Sequence, residues 1–399
     1  MRFSRKGTQN FVESQAFRSF FIVVKTHSVN FAHQSVKTNN FPPSAMPIFK
    51  KICIFALAMN ISSFLIGVAT AFFTIFALHI LFWRQERTRF QTVVGVIMAI
   101  WAIWCAKDLL ITFPGMYKRQ VLDWILIIDG WSAITYTVLL FEVVSPGWTS
   151  WRHLILLSLP FAAFTIAYSV WPVRDIVYVY SAFLWCYAWT VVIIVYRRMR
   201  RYLRYVHSEY SNIDHIDASW LQPVIIFAIV GQLAWLFTSL YATVLTDIVY
   251  YISIIALWLL VLHYSWDFRP ITITDTNNTC HQKDTLPITR GTLEQIVEEQ
   301  QLYLNKNLTL QDLAQALNTN RTYVSNYIGQ VIGLTFYDYI NQLRIERVSL
   351  PMMREHPEYK LEHVAKESGF ASISTFRRAF VKFTGQTPSQ YEFTITNPA

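Results

Sequence analysis

Four ionisable side chains sit where water is scarce. Lys107 and Asp108 adjoin within the apolar run 93–113, Asp129 lies inside the run 121–144, and Glu142 lies near its end. A charge at the centre of a membrane span costs at least about 2.5–3.5 kcal/mol, so such groups face a wet cavity or one another. Two chemistries follow. One is a polar ligand pocket, or an ion pair that shifts on signalling. The other is a fixed pair, such as Lys107 with Asp129, that only orders the helices. His79 and Asp123 also fall in apolar runs, Asp123 close to an interface. Catalysis has no comparable signal. There is no HExxH, no Gly-rich phosphate loop, no nucleophile elbow and no carboxylate pair with a partner base, so the chain is expected not to be an enzyme. Cys53, Cys105, Cys186 and Cys280 have neither metal-ligand nor redox-motif spacing, so neither metal nor cofactor is expected. The last apolar run, YYISIIALWLLVLHYSW, has no lysine for a Schiff base, which disfavours a retinal-type sensor.

These groups need helices to hold them. The 399 residues are 53 % hydrophobic and only 15 % charged, the profile of an integral membrane protein. Seven runs, near 61–83, 93–113, 121–144, 153–171, 175–196, 220–244 and 247–265, are long enough to span about 30 Å of hydrocarbon. With the C-terminus in the cytoplasm, the inner loops hold Arg84, Arg87, Arg89, Arg152, Arg197, Arg198, Arg200, Arg201 and Arg204. The outer loops hold only Lys118, Arg119 and Arg174. That bias obeys the positive-inside rule. The eight basic residues of 1–58 do not fit it, and no clean signal-peptide layout is present; translation from Met59, or from Met46, would remove the conflict. Trp171, Tyr178, Tyr180, Tyr241, Tyr250 and Tyr251 crowd the outer halves of the runs, where aromatic belts form; a minority of them could line an apolar site.

The last hundred residues carry one pattern twice. In LQDLAQAL, Leu310, Leu313, Ala314 and Leu317 fall on one helix face; after Asn318-Thr319-Asn320, Val324, Tyr327, Ile328 and Val331 repeat that spacing. Asn320 suits an N-cap. In the second copy Leu361, Val364, Ala365 and Ser368 share a face, Gly369 permits a tight turn through a positive φ, and Phe376, Ala379, Phe380 and Phe383 follow. Gly333 matches Gly385 and Tyr339 matches Tyr391. The fold class expected is all-α: a seven-helix transmembrane bundle over 59–265, a flexible linker over 266–289, and a domain with two helix-turn-helix units over 290–395.

Two copies at this spacing, the connecting stretch Leu343-Arg344-Ile345-Glu346-Arg347 and the segment GFASISTFRRAFVKFTGQTPSQY make residues 290–395 resemble the DNA-binding domain of AraC/XylS-family bacterial transcription regulators. The resemblance covers about a quarter of the chain. It implies that each unit lays its second helix in a major groove. The matching positions are Arg321, Thr322, Ser325 and Asn326 in the first unit. In the second they are Ser374, Thr375, Arg377 and Arg378, with Lys382 nearer the backbone. These residue types suit groove reading, since arginine bonds guanine bidentately, asparagine bonds adenine, and hydroxyls meet phosphates. One departure is Pro351, which is expected to kink the connecting helix or end it near Leu350. Residues 290–399 hold eleven basic and eleven acidic residues, so weak non-specific binding is expected.

Together these features predict a one-component sensor and regulator in the bacterial inner membrane, its bundle controlling the cytoplasmic domain. The alternative is a transporter or anchor bearing a DNA-binding domain that senses nothing. Against the transporter, the two halves show neither an internal repeat nor a pair of broken spans. Expected partners are promoter DNA, membrane lipid, a second copy on DNA, RNA polymerase, and a small-molecule or membrane signal. The stretch 266–289 contains two prolines and no heptad pattern. It would reach roughly 25–30 Å as a coil and would make a poor rigid lever. Dimerisation of the bundle, or cleavage in this stretch, would then carry the signal.

Overall fold

The computed structural model describes residues 46–112, 118–241, 244–273 and 290–396. The start-site expectation for 1–58 falls outside the residues whose side chains are described. The chain is all-α as expected; among the described residues the sole β pairing is an isolated antiparallel bridge, Tyr210 with Thr309.

All seven apolar runs are helical over their described residues, apart from Trp131 and single residues at the ends of some. Six are long and apolar enough, among the described residues, to cross a membrane: Ile61–Trp83 (α1), Arg89–Asp108 (α2), Arg119–Val144, Trp151–Val170 (α5), Arg174–Glu209 (α6) and Ile248–Ser265. The third turns at Trp131 into Arg119–Gly130 (α3) and Ser132–Val144 (α4). Leu221–Tyr241 (α7) follows α6, and the last span belongs to Val244–Ser265 (α8). The ends follow local chemistry. Thr88 opens α2 with a capping box, its hydroxyl accepting from Gln91 N while the Gln91 side chain accepts from Thr88 N. Ser150 caps α5. The bundle core stacks Phe73, Met98, Trp101 and Trp258, all buried, and the Trp101 indole donates to Thr135 at 3.0 Å to tie α2 to α4.

The arginine-rich ends of these helices meet. Arg89 Nε lies 2.8 Å from Glu142 Oε1, and the same carboxylate accepts from Gly147 N and from the Thr149 hydroxyl. Arg198 donates to Ser145 and Arg84 to the Trp266 carbonyl. Glu142 therefore folds the loop between α4 and α5 rather than facing a cavity. Residues 266–273 lie along this end. Phe268 is buried between Phe90 and Trp220, Arg269 N donates to His215 O, and Ile271 N donates to the Tyr202 hydroxyl. The rest of the stretch to 289 lies outside the described residues.

The aromatic belt is thinner than expected. Trp171 and Tyr178 are exposed, but Tyr180 and Tyr251 are buried. Tyr180 donates to Ile127 O at 3.1 Å across the face of Gly130, where any Cβ would strike the phenol. Tyr251 donates to Asp108 at 2.5 Å. The hydroxyl of a tyrosine buried in an apolar medium must find an acceptor, and here helix packing supplies one. Tyr241 lies outside the described side chains.

The C-terminal domain opens with Arg290–Glu299 (α9), followed by Leu310–Ala316 (α10) and Arg321–Tyr327 (α11). It has a core in each half. Leu310, Leu313, Val324, Ile328 and Ile340 form the first; Ile345, Val364, Phe370, Phe376 and Phe380 form the second. Two expectations change. Val331 does not face the core: the end of its helix, Ile328–Ile332, is a π-turn, whose wider winding leaves Val331 61 % exposed and packs Ile332 instead. The connecting helix also does not end at Leu350. Phe336–Leu343 (α12) passes through a π-turn, Arg344–Ser349, into Leu350–Glu355 (α13), with helical dihedrals at both joints. The π-turn absorbs Pro351. Leu350 N reaches back to Ile345 O, and the Ser349 hydroxyl donates to Arg344 O at 3.0 Å, so the helix continues across the proline.

Candidate nucleic-acid interface

Each unit is a short helix, a tight turn and a second helix. In the first, α10 leads to α11; in the second, Leu361–Glu367 (α14) leads to Ile373–Thr384 (α15). Thr309 opens α10 through a capping box with Asp312, a local signal that the sequence contains but the repeat did not point to. Asn320 caps α11 as expected, accepting from Tyr323 N at 2.7 Å. The turns use left-handed residues at matching places, Asn318 at φ 50° and Gly369 at φ 83°; Gly333 and Gly385 close the second helices at φ 79° and 74°.

Gly369 does more than turn the chain. A Cβ there would lie 2.8 Å from the carbonyl oxygens of both Tyr303 and Leu304, so the second unit presses its turn on the backbone of the first. At Gly385 a Cβ would meet nothing. Gly385→Ala is therefore expected to lose only the left-handed penalty, about 1–2 kcal/mol. Gly369→Ala should lose that plus about 1–3 kcal/mol of forced displacement. Urea titration of protease resistance in the C-terminal domain checks the difference; equal losses would mean that the two units do not press on each other.

The nine positions matched to DNA contacts divide into three groups. Thr322, Asn326, Ser374 and Arg377 are exposed, and Ser325 is half-buried. Lys382 lies 2.6 Å from Asp338 of α12, an ion pair within the domain. The other three meet the segment that follows α6. Arg321 lies 3.2 Å from Glu209, the Thr375 hydroxyl donates to Asp214, and Arg378 lies 4.0 Å from Asp217 while also donating to Thr375. Thr375 is only 2 % exposed. Sequence spacing pointed to none of these partners, which lie more than a hundred residues away along the chain.

The contact extends along the whole segment. His207 stacks on Tyr337, with ring centres 5.1 Å apart. The Tyr210–Thr309 bridge continues through Ser211, whose N–H and hydroxyl both donate to Leu308 O, at 3.1 and 2.7 Å, and Asn212 donates to Asn307 at 3.4 Å. Arg344, 1 % exposed, donates to the Ser211 carbonyl and hydroxyl, each at 3.3 Å. The same guanidinium bonds Tyr303 O at 2.7 Å, Asn305 O at 2.8 Å and Asn341 Oδ1 at 3.0 Å. Burial pushes its pKa down to about 10, which leaves it charged at neutral pH.

Within the bundle, Lys107 bridges Asp108, its neighbour, and Asp129 on α3, the second at 2.5 Å. One ammonium thus faces two carboxylates. Asp129 also borders a cavity between α4, α6, α7 and α8, with Tyr136, Thr137, Tyr187 and Tyr250 among otherwise mostly apolar walls. His79 stacks on Trp266, and Tyr168 donates to Asp123 at 3.5 Å. Among the described residues no cluster of His, Cys, Asp or Glu could hold a metal ion.

Comparison with known proteins bears on the C-terminal domain alone. A helix-turn-helix domain family matches residues 313–392. Two uncharacterized HTH-type transcriptional regulators of Staphylococcus aureus, from strains COL and MRSA252, are each 27 % identical over 99 residues. That stretch is 25 % of this chain but only 13 % of each relative's own length. An uncharacterized response regulatory protein of Staphylococcus epidermidis is 28 % identical over 99 residues, covering 38 % of its length. No solved structure matches. The doubled unit, its left-handed turns, the connecting helix and these relatives agree: the chain carries at its C-terminus a DNA-binding domain of the AraC-type helix-turn-helix family.

Proposed function

We propose that this protein is a membrane-tethered, sequence-specific transcription regulator of the bacterial inner membrane, and that its transmembrane bundle senses the signal that controls the C-terminal domain. The observation that carries this reading is the attachment of an AraC-type domain to the arginine-rich end of a bundle with, among the described residues, six helices fit to cross a membrane. By the positive-inside rule that end faces the cytoplasm, where DNA is. Arg321, Thr322, Ser325 and Asn326 of α11, and Ser374, Thr375, Arg377 and Arg378 of α15, are the proposed contacts, with Lys382 on the phosphate backbone. A pair of copies on one operator would raise the effective concentration of four reading helices, with RNA polymerase recruited or blocked nearby. Sensing is supported by the cavity beside Asp129, since a carboxylate held in an apolar span borders a space that a molecule from the bilayer could enter. Lys107 and Asp108 form the other side of that charge cluster. Glu142 has the weaker claim, because its carboxylate is engaged by the loop after α4.

Chromatin immunoprecipitation of the C-terminally tagged full chain tests this, beside an Arg321→Ala/Arg378→Ala variant. Discrete peaks that vanish in the variant are expected. Peaks unchanged by the double substitution would refute these contacts, and membrane-inserted protein that never yields a peak under any growth condition would refute the regulator. Arg377→Ala, at an exposed position, should weaken the best operator by about 1–3 kcal/mol without loss of stability. A gel-shift titration of membranes from the variant measures it.

A further inference from the structure

The segment Glu209–Asp217 at the end of α6 carries three carboxylates, and each meets a residue that the proposed function assigns to DNA. Glu209 holds Arg321 of α11, Asp214 holds Thr375 of α15, and Asp217 faces Arg378 of α15. The two reading helices come from different halves of the domain, yet one stretch of nine residues touches the first turns of both. Glu209 engages part of the Arg321 guanidinium and neutralises its charge, which weakens its hold on a base or a phosphate, and a buried Thr375 cannot reach either. Resting on the DNA-binding reading above, we propose that this segment is an internal competitor of DNA: an acidic latch that holds the domain shut against the membrane bundle, and that a movement of α6 releases.

Geometry gives α6 the means. At 36 residues it runs about 54 Å, well beyond the roughly 30 Å of hydrocarbon. Its membrane part, from Leu184 to Val192, lines the cavity beside Asp129. Its far end carries five arginines between 197 and 204 and then Glu209. One rigid helix thus joins the cavity wall to the latch, while the covalent connection runs through residues 266–289.

The contact is also built to open. The Arg378–Asp217 pair, 4.0 Å long with an exposed guanidinium, is individually weak. Asp214 Oδ2 is buried and has no hydrogen-bond partner among the described residues, a defect that the closed state bears. Opening would not unfold the domain. Arg344 would lose Ser211 but keep Tyr303, Asn305 and Asn341, all within the domain. The domain's own charge balance fits as well: with eleven basic and eleven acidic residues it has no broad positive field, so occupying two key arginines removes much of its hold on DNA.

Two variants of the full chain in phosphatidylcholine nanodiscs test the latch, read by retention of a random-sequence duplex pool at fixed salt. The first, Glu209→Gln/Asp214→Asn/Asp217→Asn, is expected to retain about 10–100 times more duplex than the native chain, the gain from freeing a state populated at roughly 1–10 %. Adding Arg378→Ala should cancel the gain. The second, Asn212→Cys/Asn307→Cys with Cys186 and Cys280 changed to serine, alters no charge. It places a disulfide across the extension of the Tyr210–Thr309 bridge. Retention should fall below the native level when that disulfide forms and return with reductant. Equal retention by the native chain, the charge variant and both redox states, still dependent on Arg378, would overturn the latch and leave DNA binding intact. Retention no better than that of Arg321→Ala/Arg378→Ala in every sample would overturn DNA binding itself, and the latch with it.

Discussion

Replacing Arg344 by methionine is expected to collapse the joint between the connecting helix, the first helix-turn-helix unit and the segment after α6. The side chain is almost fully buried, and its guanidinium bonds three backbone carbonyls, of Tyr303, Asn305 and Ser211, together with Asn341 Oδ1. Methionine fills similar space but leaves those acceptors without donors. Breaking a buried charged network from one side typically loses about 3–5 kcal/mol, a large fraction of a domain's whole stability. Lysine should not rescue it. A single ammonium cannot bond groups that lie on opposite sides of a planar fork. Protease resistance of the C-terminal domain in membranes, followed against urea, measures the loss; a shift of less than about 1 kcal/mol would mean that water replaces the guanidinium and that the joint does not depend on it. The variant should lose DNA binding through unfolding, unlike Arg321→Ala/Arg378→Ala, which should lose binding with the fold intact.

The second large effect lies in the apolar bundle. Lys107→Met strands Asp108 and Asp129, two carboxylates that share one ammonium, in an apolar bundle. Asp108 keeps the Tyr251 hydroxyl, but Asp129 keeps no cation. The expected loss is again about 3–5 kcal/mol, read as a fall in the midpoint of thermal aggregation of the detergent-solubilised chain. Asp129→Asn is the informative contrast. It leaves Lys107 paired with Asp108, one charge against one, and should retain most of the stability. If Asp129 carries the signal, this stable variant should still respond differently, with its operator occupancy fixed at one level whatever the stimulus. Destabilisation by Asp129→Asn as deep as that by Lys107→Met would mean that the cluster needs all three charges for folding.

Much of the chain was legible from local pattern. Periods of 3.6 residues placed the buried faces of both units, and caps such as Asn320 and turns such as Gly369 followed from which residues satisfy helix ends and tolerate a positive φ. Where local pattern failed, a π-turn intervened. The pattern assumes one winding, so a wider turn at Ile328–Ile332 moved Val331 out of the core, and another at Arg344–Ser349 carried the helix past Pro351. Tyr180 and Tyr251 misled for a different reason. An aromatic residue near a span end suits an interface equally well whether its ring faces lipid or a neighbouring helix, and only packing decides which.

By itself, then, the sequence determined an apolar helical bundle with a charged cluster inside it, an arginine-rich end, and a doubled DNA-reading unit of AraC type. These rest on hydropathy, helical period and capping, which act between residues a few positions apart. Only the tertiary structure decided that Lys107 faces both Asp108 and Asp129, that Arg344 ties the first unit to Ser211, and that Arg321, Thr375 and Arg378 meet Glu209, Asp214 and Asp217. Such partners lie up to 161 residues apart along the chain, and no periodicity links them. They are brought together by the length of α6 and the packing of the helices around it, which a reading of neighbouring residues does not contain.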